Sequence, residues 1–165
     1  MTEVAAENAD GLIAHSFTTE QYMREVTLPA VARGLAASGR SRRDFEITCP
    51  VFVVVGRNEE ELESKKAATR AQIAFYGSTP AYRPVLAHHG WGDLQTELNV
   101  MSKQGLWQEM GERIDDEILE TFAVVGEPGD LLPKLRARCA GLVDRLLCTF
   151  SFMDDEEDAI RTLRG

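Results

Sequence analysis

The chain has three histidines, His15 and the adjacent pair His88-His89. Imidazole changes charge closest to neutrality of all side chains, so each can donate to or accept from a bound molecule. His15 lies near the end of the apolar run GLIAHSF at residues 11–17, where a strand would close. The same position also suits a polar residue that merely ends a strand with one hydrogen bond. Neighbours on a helix point about 100° apart, so His88 and His89 cannot grip one metal as an i,i+4 pair does, and the sequence offers no metal site. Around that pair, residues 72–91 read QIAFYGSTPAYRPVLAHHGW. A surface loop has no need of Phe75, Tyr76, Tyr82 and Trp91 together, and a core helix does not carry Thr79-Pro80 and Arg83-Pro84. One reading is that Phe75, Tyr82, Leu86 and Trp91 pack an excursion onto the body; the other is that the segment walls a pocket.

Other catalytic groupings are missing. The sequence has no Gly-x-Ser-x-Gly elbow, Walker loop, complete dinucleotide glycine fingerprint or His-Glu-x-x-His, and no catalytic residue is assigned. The acidic pairs Asp115-Asp116 and Asp154-Asp155 read as charges at helix starts, with general acid or base work as the alternative. Cys49, Cys139 and Cys148 lack Cys-x-x-Cys spacing and are odd in number, so neither a zinc ribbon nor a disulfide framework is indicated. Three buried or half-buried thiols in a reducing cytoplasm fit better. A formal net charge of −9 opposes attraction to nucleic acid or an anionic membrane, and the largest basic cluster, Arg40-Ser41-Arg42-Arg43, is short. No stretch reaches the apolar length of a membrane span, and MTEVAAENADG lacks the basic and apolar regions of a secretory leader. A cytoplasmic location is expected.

These residues need a scaffold, and 165 residues at 44% hydrophobic suffice for one domain with a real core. The pattern predicts a strand over 11–17, then a helix capped by Thr18 with Gln21, running to about Ala37 and stopped by Gly39. Pro29 inside it implies a kink or a new first turn. Residues 45–56, FEITCPVFVVVG, are β-branched and almost continuously apolar, which predicts a strand covered on both faces and hence a parallel sheet. Pro50 is expected at a bulge or near that strand's start. Asn58 should cap the next helix, with Glu61 completing a capping box and pairing with Lys65. Short helices follow, marked by Leu94, Leu98 and Met101, by Trp107, Met110 and Ile114, and by Ile118, Leu119 and Phe122. A turn through Pro128-Gly129 precedes a helix ended by Gly141, then a strand over 142–150 and a helix over 154–163. Strands alternating with helices predict βαβ units and an α/β class.

Four stretches carry a family likeness: ENADGLIAHSF, LPAVARGLAASGRSRRDFEITCPVFVVVG, QIAFYGSTPAYRPVLAHHGWGDL and ETFAVVGEPGDLLPKLRARCAGLVDRL. Together they resemble the C-terminal portion of the luciferase-like monooxygenase superfamily, in its deazaflavin (coenzyme F420)-dependent oxidoreductase branch. The resemblance implies a partial (β/α)8 TIM barrel, a single domain over 1–165 holding about the last three βα units. Residues 11–17, 47–55 and 142–149 would be its sixth, seventh and eighth strands. A helical insertion over about 77–125 would lie between the last two, and residues 1–8 would end the preceding helix. Three strands leave two unpaired edges and an open barrel interior. The expected partner is therefore another copy, as a homo-oligomer, or a complementary N-terminal half-barrel; a shortened gene or a misassigned start is the other reading.

By the same resemblance the chain would help form a pocket for hydride transfer between a small organic substrate and coenzyme F420. Two alternatives stand beside it: a flavin mononucleotide (FMN)-dependent monooxygenase of the same superfamily, and a non-catalytic remnant that only self-associates or pairs with an N-terminal half. The fragment alone is expected to be inactive and not to hold the cofactor stably. The insertion would roof the barrel mouth, making Tyr76, Tyr82, Arg83, His88 and Trp91 a lid or wall, with His15 beside them at the C-terminal face of the strands. Barrels often hold phosphate at helix starts after the last strands, but here those starts carry Glu59, Glu60 and Glu61 in one case and Asp154, Asp155, Glu156 and Glu157 in the other. Carboxylates there repel a phosphodiester, so the missing half is expected to hold the cofactor's phosphate.

Overall fold

A computed structural model of the chain describes residues 1–150, with side chains through 148. The helix expected over 154–163, and Asp154, Asp155, Glu156 and Glu157, lie outside the described residues. Helix α1 (Thr2–Asn8) leads into the short strand β1 (Gly11–Ile13). Helix α2 (Glu20–Tyr22), a π-helical turn (Met23–Thr27) and helix α3 (Leu28–Ala37) then follow without a break. Strand β2 (Glu46–Val55) and the long helix α4 (Glu59–Gly77) come next. Four shorter helices succeed them, α5 (Arg83–His88), α6 (Gly92–Lys103), α7 (Trp107–Gly111) and α8 (Asp116–Phe122). Strand β3 (Ala123–Gly126), helix α9 (Pro128–Cys139) and strand β4 (Arg145–Phe150) complete the described chain.

Every strand pairing is parallel, and β2 is central. One edge of β2 carries β4, from Thr48 to Val53. The other edge is shared: β1 pairs with Glu46 to Thr48, and β3 with Phe52 to Val55. Strand β3 is absent from the sequence reading, because AVVG is short and runs straight out of helix α8.

That shared edge corrects the expectation for Pro50, which sits at neither a bulge nor a strand start. It is in continuous register opposite Leu147. Even-numbered residues of β2 direct their backbone groups toward β1 and β3, as Glu46 N–H to Asp10 O and Ala14 N–H to Thr48 O show. The N–H that proline lacks would point into the gap between Thr48 and Phe52, where no strand asks for it.

Two caps also differ from expectation. Thr19, not Thr18, caps α2, its Oγ1 accepting from Tyr22 N–H at 3.1 Å. Asn58 caps α4 by accepting from Glu61 N–H at 2.8 Å, but the Glu61 carboxylate reaches back to Arg57 N–H rather than closing a box on Asn58. Pro29 does stand in a new first turn: Leu28 N–H bonds Met23 O, five residues back, so the wide π turn ends where proline has no N–H to give. Pro128 and Gly129 form the first turn of α9 instead of a separate turn, since proline suits the first helical position.

The two faces of β2 carry different helices. Phe45 and Ile47 pack with Val31, Leu35 and Ala6 of α3 and α1, while Val51, Val53 and Val55 pack with Leu131 and Leu135 of α9. On the opposite face Phe52 and Val54 meet Ile73 and Ala74 of α4 and Phe122 of α8. Both are fully buried, and each such side chain contributes roughly 1.5–3 kcal/mol by leaving water. Helices α4 to α8 therefore gather over the C-terminal end of this second face. Toward its N-terminal end the face is open: Ile13 is 73% exposed and Leu147 is 45% exposed.

Candidate aromatic pocket at the strand ends

The chain leaves the sheet after β1, and two residues later His15 meets the end of α4 and the 3-10 turn Pro80–Tyr82. The His15 ring stacks on Tyr82 at 4.9 Å between centroids, tilted by 30°, and meets Tyr76 edge-on at 4.8 Å. Beneath them Phe17 lies 5.3 Å from Tyr82, and Phe52 lies 6.3 Å from Tyr76. Phe17 in turn stacks on Phe122 at 4.5 Å. Phe17 and Phe52 are buried, Tyr76 and Tyr82 half-buried, and His15 exposed. The result is an aromatic wall on a dry floor.

One hydrogen bond sets the chemistry of His15. Phe17 N–H donates to His15 Nδ1 at 3.0 Å, so Nδ1 is the unprotonated nitrogen and Nε2 carries the hydrogen of the neutral ring. Partial burial pushes the His15 pKa below its ordinary value. At neutral pH the side chain is thus an uncharged hydrogen-bond donor through Nε2, held by its neighbours in a fixed tautomer.

His88, His89 and Trp91 form a second cluster, which seats the helical excursion on α2, its cap Thr19 and the following π-helical turn. His89 Nε2 lies 2.8 Å from Thr19 Oγ1, and its ring stacks on Trp91 at 4.9 Å. His88 meets Tyr22 edge-on at 5.5 Å, and its Nε2 lies 3.0 Å from Glu25 Oε2. That nitrogen is buried and off the carboxylate's hydrogen-bonding direction, so the contact is an ion pair whenever His88 is protonated rather than a directed bond. Burial lowers the His89 pKa first, the neighbouring His88 charge second, and Glu25 opposes both.

Of the expected site residues, His15, Tyr76 and Tyr82 come together, whereas His88 and Trp91 belong to the second cluster. Arg83 is exposed at the start of α5, its guanidinium beside Gly92, and has no described contact with the rings. The sequence reading missed Phe17 and Phe52 as floor, and Thr19, Tyr22 and Glu25 as anchors. An acidic residue in the same helical stretch as a capping threonine was the only local signal for the anchors. Asp115 and Asp116 act as read from the sequence, Asp115 capping α8 at Ile118 N–H and Asp116 pairing with Arg70.

The largest described cavity, about 580 Å³, lies elsewhere, between α2 and α8 and next to Arg138. Its guanidinium is already spent on the carbonyls of Glu120 and Thr121, and Glu20, Glu117 and Glu120 line the same walls. The aromatic wall stands at the C-terminal ends of parallel strands and offers a polar group, His15 Nε2, that has no described hydrogen-bond partner. Among the described residues no group of three or more His, Cys, Asp or Glu could hold a metal ion, and no helix is long and apolar enough to cross a membrane. Tyr82, Tyr76 and the exposed His15 are the aromatic groups here whose chemistry suits a flat polycyclic ring. A phosphate tail does not fit the start of α4, where Glu59, Glu60 and Glu61 fill the first turn.

The sequence profile described as luciferase-like monooxygenase matches residues 1–145. An uncharacterized protein of Mycobacterium tuberculosis is 52% identical over 156 residues, which are 94% of this chain and 46% of that protein. The 5,10-methylenetetrahydromethanopterin reductase of Archaeoglobus fulgidus is 24% identical over 99% of this chain and 49% of its own length. Among solved structures, the coenzyme F420-dependent tetrahydromethanopterin reductase of Methanopyrus kandleri superposes with a TM-score of 0.74 at 20% identity, over 99% of this chain and 46% of that one. An F420-dependent secondary alcohol dehydrogenase, in complex with an F420-acetone adduct, superposes with a TM-score of 0.59 at 11% identity. The chain spans about half the length of the relatives it matches, and its fold is that half of their barrel.

Proposed function

Because the chain belongs to the luciferase-like monooxygenase family, we propose that it supplies the aromatic wall and lid of a coenzyme F420 pocket in an oxidoreductase that moves hydride to or from a small organic substrate. The observation that carries this reading is the His15, Tyr76 and Tyr82 wall at the C-terminal ends of the strands, the end of a barrel where chemistry is placed. The names of both solved neighbours, each described as F420-dependent, support F420 over FMN.

When bound, the deazaflavin supplies the hydride chemistry, and the protein's task is to orient and shield. Tyr82 and Tyr76 would pack against a flat ring, and His15 Nε2–H would donate to a ring carbonyl or a substrate oxygen. Phe17 and Phe52 close the floor to water. Residues 77–125 act as the lid, with His88, His89 and Trp91 fastening it to the π-helical turn and Arg83 at its exposed rim. The carboxylates at the start of α4 leave the phosphate tail to residues outside those described. Free thiols at Cys49, Cys139 and Cys148 suit a cytoplasmic setting.

The test is an NMR titration of the chain with F420 and, separately, FMN, since weak binding near about 1 mM still moves resonances. Shifts confined to His15, Tyr76 and Tyr82, larger with F420, are expected. No shift with either ligand, or shifts centred on Arg138, would remove the reading.

A further inference from the structure

One short helix carries the pocket wall at one end and the paired histidines at the other. Tyr82 immediately precedes α5, His88 is its last residue and His89 its cap. His89 N–H and Trp91 N–H both donate to Leu86 O, at 3.0 and 2.9 Å, so the helix and the turn after it move as one piece. At 1.5 Å per residue the six residues of α5 span about 9 Å. Leu86, fully buried near the middle, is the pivot. A displacement at the histidine end therefore reaches Tyr82, whose ring stacks on His15 at 4.9 Å.

The two histidines meet a proton differently. Thr19 is buried, and its Oγ1 accepts from Tyr22 N–H at 3.1 Å as the cap of α2. Its hydroxyl hydrogen has one described acceptor, His89 Nε2 at 2.8 Å, so neutral His89 accepts there and keeps its own hydrogen on Nδ1. A proton on Nε2 turns that acceptor into a donor and leaves the hydroxyl hydrogen buried without a partner, which weakens the seat. His88 instead lies edge-on to Tyr22 with Nε2 3.0 Å from Glu25 Oε2, so a proton there meets a carboxylate. The other charged groups of the groove that His89 lines are Glu20, Arg24, Glu117, Glu120 and Arg138. Arg24 pairs with Glu20, and Arg138 bonds the carbonyls of Glu120 and Thr121. Burial first and the His88 charge second outweigh the pull of Glu25, so the His89 pKa lies below its ordinary value.

We propose that His88 and His89 form a pH-sensitive latch on the pocket wall, which seats Tyr82 against His15 while His89 is neutral and releases it when His89 takes a proton. The latch rests on the reading of the aromatic wall as a pocket, and it is independent of which ligand that wall receives. A histidine with a lowered folded pKa favours the seated form fully above 6.5, and the seat is lost as pH falls through the folded value. A pH titration of the ligand-free chain by NMR tests this, so its failure and a failure to bind F420 are read separately. Neutral His89 should show the Nδ1–H tautomer. The Overhauser signal between the Tyr82 and His15 rings should fall by about half at the His89 midpoint, where half the molecules carry the proton. Neither readout needs a variant. His89→Gln, whose amide oxygen accepts from Thr19 but does not titrate, should hold the signal level across the same range. Circular dichroism should stay constant throughout, and a signal lost only together with it is acid unfolding and overturns the proposal. So does an Nε2–H tautomer at neutral pH, a signal that stays level through the His89 midpoint in the wild type, or a loss that persists in His89→Gln.

Discussion

Tyr82→Ala probes the pocket wall and the His15 tautomer together. Tyr82 is half-buried and touches three rings, His15 at 4.9 Å, Phe17 at 5.3 Å and Tyr76 at 6.2 Å. Truncating a fully buried aromatic costs roughly 3–5 kcal/mol, so half burial with three ring contacts scales to about 2 kcal/mol. For a chain of this length that lowers Tm by roughly 4–8 °C. The same change removes the ring stacked on His15 and with it part of the burial that lowers its pKa. A His with a depressed folded pKa stabilises the fold above its unfolded value of 6.5, and that stability is lost as pH falls through the folded pKa. Tyr82→Ala should therefore raise the His15 pKa toward 6.5 and shrink its share of the acid-side loss. Calorimetry and a histidine NMR titration read the two effects. A Tm within about 1 °C of wild type, or a His15 that titrates unchanged, would refute the stack as described.

Gly34→Ala should destabilise, against the roughly 1 kcal/mol that alanine usually gains over glycine inside a helix. A Cβ at Gly34 would collide with the backbone carbonyl of Glu3 and come within 2.8 Å of Ala6 Cβ, so α1 must shift; a Tm that rises would contradict the α1–α3 packing. Burial pushes the Cys49 thiol up to about 11, which leaves only about one part in a thousand as thiolate at pH 8. Mass spectrometry after iodoacetamide should find Cys49 labelled last of the three cysteines, and rapid labelling would contradict the covered β2 strand. His89→Phe keeps the stack on Trp91 but removes a group whose depressed pKa costs stability as pH falls below 6.5. The Tm difference between about pH 7.5 and pH 5 should narrow in that variant, and an unchanged difference would count against the buried His89.

The sequence made the class legible because β2 is apolar almost without interruption, as a strand covered on both faces must be. That same continuity hid the floor of the pocket. With apolar residues on both faces, alternation cannot tell whether Phe52 faces α9 or the excursion, and only the packing decides. The anchors of the lid were invisible for a different reason. Thr19 and His89 are 70 positions apart, and no local pattern links the α2 cap to the end of α5 that the fold lays beside it.

Pro50 links these facts. Read along the chain it looks like a strand breaker, yet in the sheet it marks the place where β2 exchanges one neighbour for another. The last bond to the β1 side is Ala14 N–H to Thr48 O at 2.8 Å, and β3 takes over at Phe52. Between them nothing competes for the backbone of residues 14–17, so the chain can leave the sheet and carry His15 and Phe17 across to Tyr76 and Tyr82. A residue able to donate at that edge would invite β1 to continue upward, and each further rung would draw His15 back into the ladder and away from the rings. The position of the pocket thus follows from a missing N–H as much as from the aromatic residues that line it.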